Sequence, residues 1–129
     1  MGSLIVTLGK QKGEYLPLGK RTSVIGRNEA ISLQVLDSKV SRKHLRIWYD
    51  NATDQYYADD MHSKHGVFIN GGKLIESAVL NDGDEILIGD TMLMYTDEDF
   101  ENRKSALEFY KERGQRELRT KGDSSYSWG

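Results

Sequence analysis

From residue 3 to residue 96 the chain is written in short apolar runs, each closed within a few residues by turn chemistry. Eleven such runs can be marked, at 3–8, 15–18, 22–25, 33–35, 44–50, 55–58, 67–69, 73–75, 78–80, 85–88 and 91–95. The breaks between them hold Gly9 to Gly13, Gly19-Lys20, Asp37-Ser38-Lys39, Asn70-Gly71, Asn81-Asp82-Gly83-Asp84 and Gly89-Asp90. Asn, Asp and Gly tolerate the positive φ of tight turns, and Asn-Gly is a strong hairpin signal. Runs this short and this regularly broken are strands of a sandwich or barrel. No helical period interrupts them, so parallel strand–helix–strand units are excluded.

Alternation within the runs is consistent with that class. Leu45, Ile47 and Tyr49 fall on one face of the 44–50 run and Arg46 on the other. Pro17 cannot donate to a ladder, so the second strand lies at an edge or an end. Asp59-Asp60 reads as an acidic turn closing the 55–58 strand. The expected fold is an all-β sandwich of about eleven short strands over residues 1–96.

After Thr96 the pattern changes. Residues 97–113 lack Gly and Pro, and Phe100, Leu107 and Tyr110 share one helical face. Thr96-Asp97-Glu98-Asp99 has the form of a capping box, and Gly114 is a suitable stop. A helix is expected over 97–114 and a polar, flexible tail over 115–129.

Composition removes several classes. The 129 residues include no Cys, so disulfides and Cys metal sites are excluded. No apolar run approaches ~20 residues, and the first residues lack the flank of a signal peptide. A membrane role is not expected, and the cytosol is the default compartment. Net charge is −2, yet between Lys20 and Arg46 seven Lys or Arg face only Glu29 and Asp37. That favours a local anion site over a bulk polyanion binder. No aromatic stacking stripe or recognition helix points to nucleic acid.

Three polar clusters lie at strand ends: Gly26-Arg27, Ser41-Arg42-Lys43-His44, and Ser63-Lys64-His65-Gly66. A guanidinium fork matches two phosphate oxygens, hydroxyls can donate to a third, and a Lys adds charge. Ser41 and His44 are the one nearby nucleophile–base pair, but no third member or oxyanion motif accompanies them, so an enzyme is not expected. His44 reads instead as a structural residue bracing the Ser41 loop. His62 and His65 near Asp60 lack a metal-ligand spacing, and no cofactor or metal is expected.

These clusters resemble the forkhead-associated (FHA) domain family. The family pattern runs Gly-Arg, Ser-Arg-x-His, Asp-x-x-Ser-x-Asn-Gly-Thr and Asn-Gly. Here it reads Gly26-Arg27, Ser41-Arg42-Lys43-His44, Asp60 to Val67, and Asn70-Gly71, followed by Leu80-Asn81-Asp82-Gly83-Asp84 and Ile88-Gly89. The resemblance covers residues 4–96. It implies an eleven-strand sandwich whose loops bind a phosphothreonine-containing protein or peptide in signalling. By that analogy Arg27 and Ser41 hold the phosphate, the Arg42 backbone, Ser63 and Lys64 assist, and Asn70 ties loops or touches the peptide. Gly26, His44 and Gly66 are structural.

Two positions depart from the pattern, His65 for its Asn and Val67 for its Thr. They leave a second reading, a phosphate-independent interaction module of the same fold. Thr96 and Thr120 each precede an Asp by three residues, a spacing some family members favour. Phosphorylated Thr120 would allow self-association through the C-terminal tail.

Overall fold

The computed structural model describes residues 1–98 together with Glu108 and Lys111. Of the expected helix over 97–114, only Asp97, Glu98, Glu108 and Lys111 are described, the last two in helical conformation. The rest of that span and the tail over 115–129 lie outside the described residues.

Among the described residues, eleven strands build two sheets. They are β1 (Ser3–Leu8), β2 (Tyr15–Pro17), β3 (Ser23–Gly26), β4 (Leu33–Gln34), β5 (Leu45–Asp50) and β6 (Gln55–Asp60), then β7 (Val67–Ile69), β8 (Gly72–Lys73), β9 (Ala78–Val79), β10 (Glu85–Ile88) and β11 (Thr91–Thr96). One sheet has the order β2-β1-β11-β10-β7-β8 and the other β4-β3-β5-β6-β9. Pro17 stands on the edge strand β2, where its missing N–H costs no ladder bond. The first and last strands pair at the centre of the larger sheet, Leu4 opposite Tyr95 and Val6 opposite Leu93. All pairs are antiparallel except β3 with β4.

The core follows from alternation. Leu45, Ile47, Tyr56 and Ala58 point inward from the smaller sheet, meeting Leu4, Val6, Ile86, Ile88 and Leu93 from the larger one. At roughly 25 cal/mol per Å2 of apolar surface removed from water, this burial is the main favourable contribution to folding.

Several boundaries differ from the sequence reading. Asp59 and Asp60 are not a turn but the end of β6. The Asp59 carboxylate lies on the outer face, where it accepts from Arg46 Nε at 2.9 Å and from Trp48 Nε1 at 2.9 Å on β5, and also from the Ser77 hydroxyl. Those donors stabilise an acid where a turn is the local expectation. Beside them Trp48 stacks on Tyr57 with ring centroids 4.7 Å apart. β8 is Gly72–Lys73 rather than 73–75, and Ile75 is 81% exposed. Thr96 belongs to β11; its buried hydroxyl donates to Asp82 at 3.0 Å and accepts from the Glu98 N–H at 3.2 Å. A hydroxyl so enclosed is unavailable for phosphorylation while β11 is in place.

Candidate functional site

The three polar clusters meet at Ser41. The chain leaving β3 is bonded to the 41–44 segment through Arg27 N–H to Ser41 O (3.0 Å), Asn28 N–H to Arg42 O (3.2 Å) and His44 N–H to Ile25 O (3.0 Å). Gly26 makes this approach possible. A Cβ there would stand 2.2 Å from Arg42 O and 2.8 Å from Ser41 O, closer than any side chain permits. The 60–66 loop joins from the other side, its Lys64 N–H donating to the Ser41 hydroxyl at 3.1 Å. That bond uses a lone pair of Ser41 Oγ and leaves its hydrogen to donate elsewhere.

Arg27 is exposed, but its orientation is set. Its Nε–H donates to Val40 O at 3.0 Å. The two terminal amino groups of the guanidinium carry no hydrogen bond among the described residues. Four of five donors are therefore left for an anion.

His44 holds the two loops together. The Ser41 N–H donates to His44 Nδ1 at 2.9 Å, so the proton of the neutral ring sits on Nε2 and is given to Gly66 O at 2.8 Å. The ring is fully buried. It meets the Ser41 backbone and not the Ser41 hydroxyl, so the two do not form a nucleophile–base pair. Both ring nitrogens are committed, and no group of His, Asp and Glu among the described residues is arranged to hold a metal.

The 60–66 loop is also self-bonded. Asp60 accepts the Ser63 N–H at 2.9 Å, and the Ser63 hydroxyl accepts the Gly66 N–H at 2.9 Å. Gly66 has φ +87°, a left-handed conformation that an L side chain resists. Lys64 and His65 are exposed on this loop, and His65 makes no hydrogen bond among the described residues. Val67 is fully buried, so the departure at that position is one of core packing. Asn70 has φ +50°; its amide donates to Asp84 at 2.9 Å and accepts the Glu85 N–H at 2.9 Å. Its side chain ties the β7–β8 turn to the 81–85 segment, and Arg42 is exposed at the edge of the cluster.

Asp37 was legible only as turn chemistry, yet it anchors the segment behind Arg27. Its carboxylate accepts from Lys39 N–H (2.9 Å), Asp90 N–H (2.7 Å) and the Thr91 hydroxyl (2.9 Å), while its carbonyl accepts the Val40 N–H (3.0 Å). Burial alone raises its pKa, but these hydrogen bonds and the Lys39 ammonium outweigh that and hold it below the ordinary carboxylate range. Asp59 is lowered too, with burial again outweighed, here by Ser77, Arg46 and Trp48. A carboxyl with a depressed folded pKa stabilises the fold above its unfolded value, about 3.9, and loses that contribution as pH falls through the folded one. The melting temperature is therefore expected to fall below about pH 4, and less steeply in Asp37→Asn. Melts recorded from neutral to acid pH that give both proteins the same slope would exclude this role for Asp37.

A cleft of about 310 Å3 lies between Met1, Gly2, Asp54, Tyr56, Tyr95 and Asp97, and none of the converging loops contributes to it. Burial, then the bond to Asp97, holds the Tyr95 hydroxyl well above its ordinary pKa, so it stays protonated.

This is a two-sheet sandwich with three polar loops joined at one end of its strands. The FHA domain family profile matches residues 23–89, and the chain belongs to the FHA domain family. It is similar to an oxoglutarate dehydrogenase inhibitor of Corynebacterium jeikeium, 33% identical over 92 residues that cover 71% of this chain and 62% of that protein. Among solved structures it resembles the FHA domain of an Arabidopsis thaliana hypothetical protein, with 26% identity, TM-score 0.71, and 78% and 88% of the two chains covered. It also shares the fold of a domain solved in an analysis of phosphothreonine-dependent FHA interactions, at 24% identity and TM-score 0.67, covering 77% and 98% of the two chains. The chain spans 62% of the length of the first of these relatives. No helix among the described residues is long and apolar enough to cross a membrane.

Proposed function

We propose that this chain is a phosphothreonine-peptide-binding module that mediates phosphorylation-dependent contacts between proteins, acting by binding and not by catalysis. The observation that carries this reading is the junction at Ser41, where Arg27 bonds its carbonyl and Lys64 its hydroxyl. These bonds join the segments that carry Arg27, Ser41 and Lys64, and the Arg27 Nε–H bond to Val40 O ties its guanidinium to the segment that carries Ser41. A phosphothreonine brings about −1.5 to −2 charge near pH 7 and three acceptor oxygens. Arg27 and Lys64 neutralise that charge, Ser41 donates its hydrogen, and the Arg42 backbone adds to the cradle. Ser63 and His65 flank the phosphate on the second loop. Asn70 supports the geometry through Asp84 and Glu85, with its amide already engaged.

The test is a calorimetric titration of one peptide in phosphorylated and unphosphorylated form. Binding at least ~10-fold tighter for the phosphorylated form is expected, because charge-assisted hydrogen bonds contribute roughly 1.5–3 kcal/mol each. Equal affinity for the two forms would instead establish a phosphate-independent module.

A further inference from the structure

A fifth cation stands beside the junction, from an element outside the three clusters. Lys73 on β8 pairs across the ladder with Phe68 on β7. A methyl built on Gly66 would meet Lys73 Cε at 3.5 Å and Phe68 Cε1 at 3.6 Å. The aliphatic stem of Lys73 therefore borders the Gly66 backbone, beside the Phe68 ring of the paired strand, with the residue exposed. Its position follows from this packing, since a stem bordered in this way loses less rotamer freedom on binding than one in open water. Gly66 is two residues from Lys64, whose N–H meets Ser41.

The charge at this edge exceeds what one phosphate requires. Arg27 and Lys64 already match a group of about −1.5 to −2. No carboxylate among the described residues pairs with Arg27, Arg42, Lys43, Lys64 or Lys73. Two cations away from it are partnered, Lys39 with Asp90 at 3.3 Å and Arg46 with Asp59. In a chain of net charge −2, the unpaired cations on the segments around Ser41 and Gly66 are a local feature.

We propose that Lys73 is a specificity-determining residue, which favours peptides carrying an acidic side chain next to the phosphothreonine. The inference rests on the phosphothreonine reading above and adds the chemistry of the flanking residue. The phosphate takes Arg27, Ser41 and Lys64, and a neighbouring Glu or Asp takes the ammonium beside Gly66. Because the pair forms in partly exposed surroundings, its expected effect is modest, about two- to fivefold in affinity, and it weakens with salt.

Two phosphothreonine peptides test this, identical except that one has Glu and the other Gln on both sides of the phosphorylated residue. The wild-type chain should bind the Glu peptide about two- to fivefold more tightly at low salt. In Lys73→Gln the preference should vanish, with affinity for the Gln peptide unchanged and the melting temperature intact. Lys73→Arg should restore the preference. An undiminished preference in Lys73→Gln, or an equal loss for both peptides, overturns the assignment while leaving the phosphate site standing. If unphosphorylated versions bind as well as the phosphorylated ones, the phosphothreonine reading fails and takes this inference with it.

Discussion

Arg27→Ala is expected to abolish phosphopeptide binding while leaving the fold intact. Arg27 is exposed, and its side chain contributes a single hydrogen bond to the protein, from Nε to Val40 O. Its removal therefore costs the fold little; surface changes of this kind usually stay within ~0.5 kcal/mol. For the ligand the loss is larger. A bidentate guanidinium–phosphate contact consists of two charge-assisted bonds at roughly 1.5–3 kcal/mol each, and ~1.4 kcal/mol corresponds to tenfold in affinity. Arg27→Lys should recover only part of the loss, because an ammonium keeps the charge without the planar fork and without the Val40 bond that aims it. Titrations of both variants, alongside thermal melts, separate these outcomes. Wild-type affinity in a well-folded Arg27→Ala protein would remove the anion site from the Ser41 junction.

His44→Ala should have the opposite signature, with the fold itself failing first. The ring is fully buried and fills space between the two loops. Truncation leaves a cavity and two unpartnered backbone groups, the Ser41 N–H and the Gly66 carbonyl. Cavity formation by an aromatic-sized side chain costs ~3–5 kcal/mol, and each stranded polar group adds about 1–3 unless water reaches it. A destabilisation of at least ~3 kcal/mol is expected, which lowers the melting temperature of a domain this size by more than about 10 °C. Ser41→Ala provides the contrast, since it removes a ligand donor while leaving the backbone N–H on His44 in place. Near-native stability of His44→Ala would show that the loops are held by their backbone bonds alone. The sequence carried the outline of this result, because a lone His opening a strand after Ser-x-x reads as a brace. It did not carry the tautomer, which depends on a carbonyl 22 residues away.

The Gly-Arg, Ser-x-x-His and Ser-Lys clusters are legible in the sequence, and so is the all-β class. Both are local properties: alternation sets which face of a strand is apolar, and Gly, Asn and Asp mark where the chain must turn. Residues with non-local partners were read less well. Asp59 looked like a turn acid because its donors, Arg46 and Trp48, lie on another strand. Asp37 showed only its turn chemistry, since Asp90 and Thr91 are 53 and 54 positions away. Asn70 reads as a loop tie or a peptide contact, and the partners of its amide, Asp84 and Glu85, lie 14 and 15 positions away.

Lys73 reads from sequence only as the start of a short strand, because it stands outside every motif and comes beside Gly66 only through the β7–β8 pairing. Short-range pattern by itself determined the strands, their turns and the chemical character of each loop. Which loops share a junction was decided by the pairing of distant strands, β1 with β11 and β3 with β5. Such pairings depend on how whole faces fit against one another, a condition that no stretch of chain contains on its own.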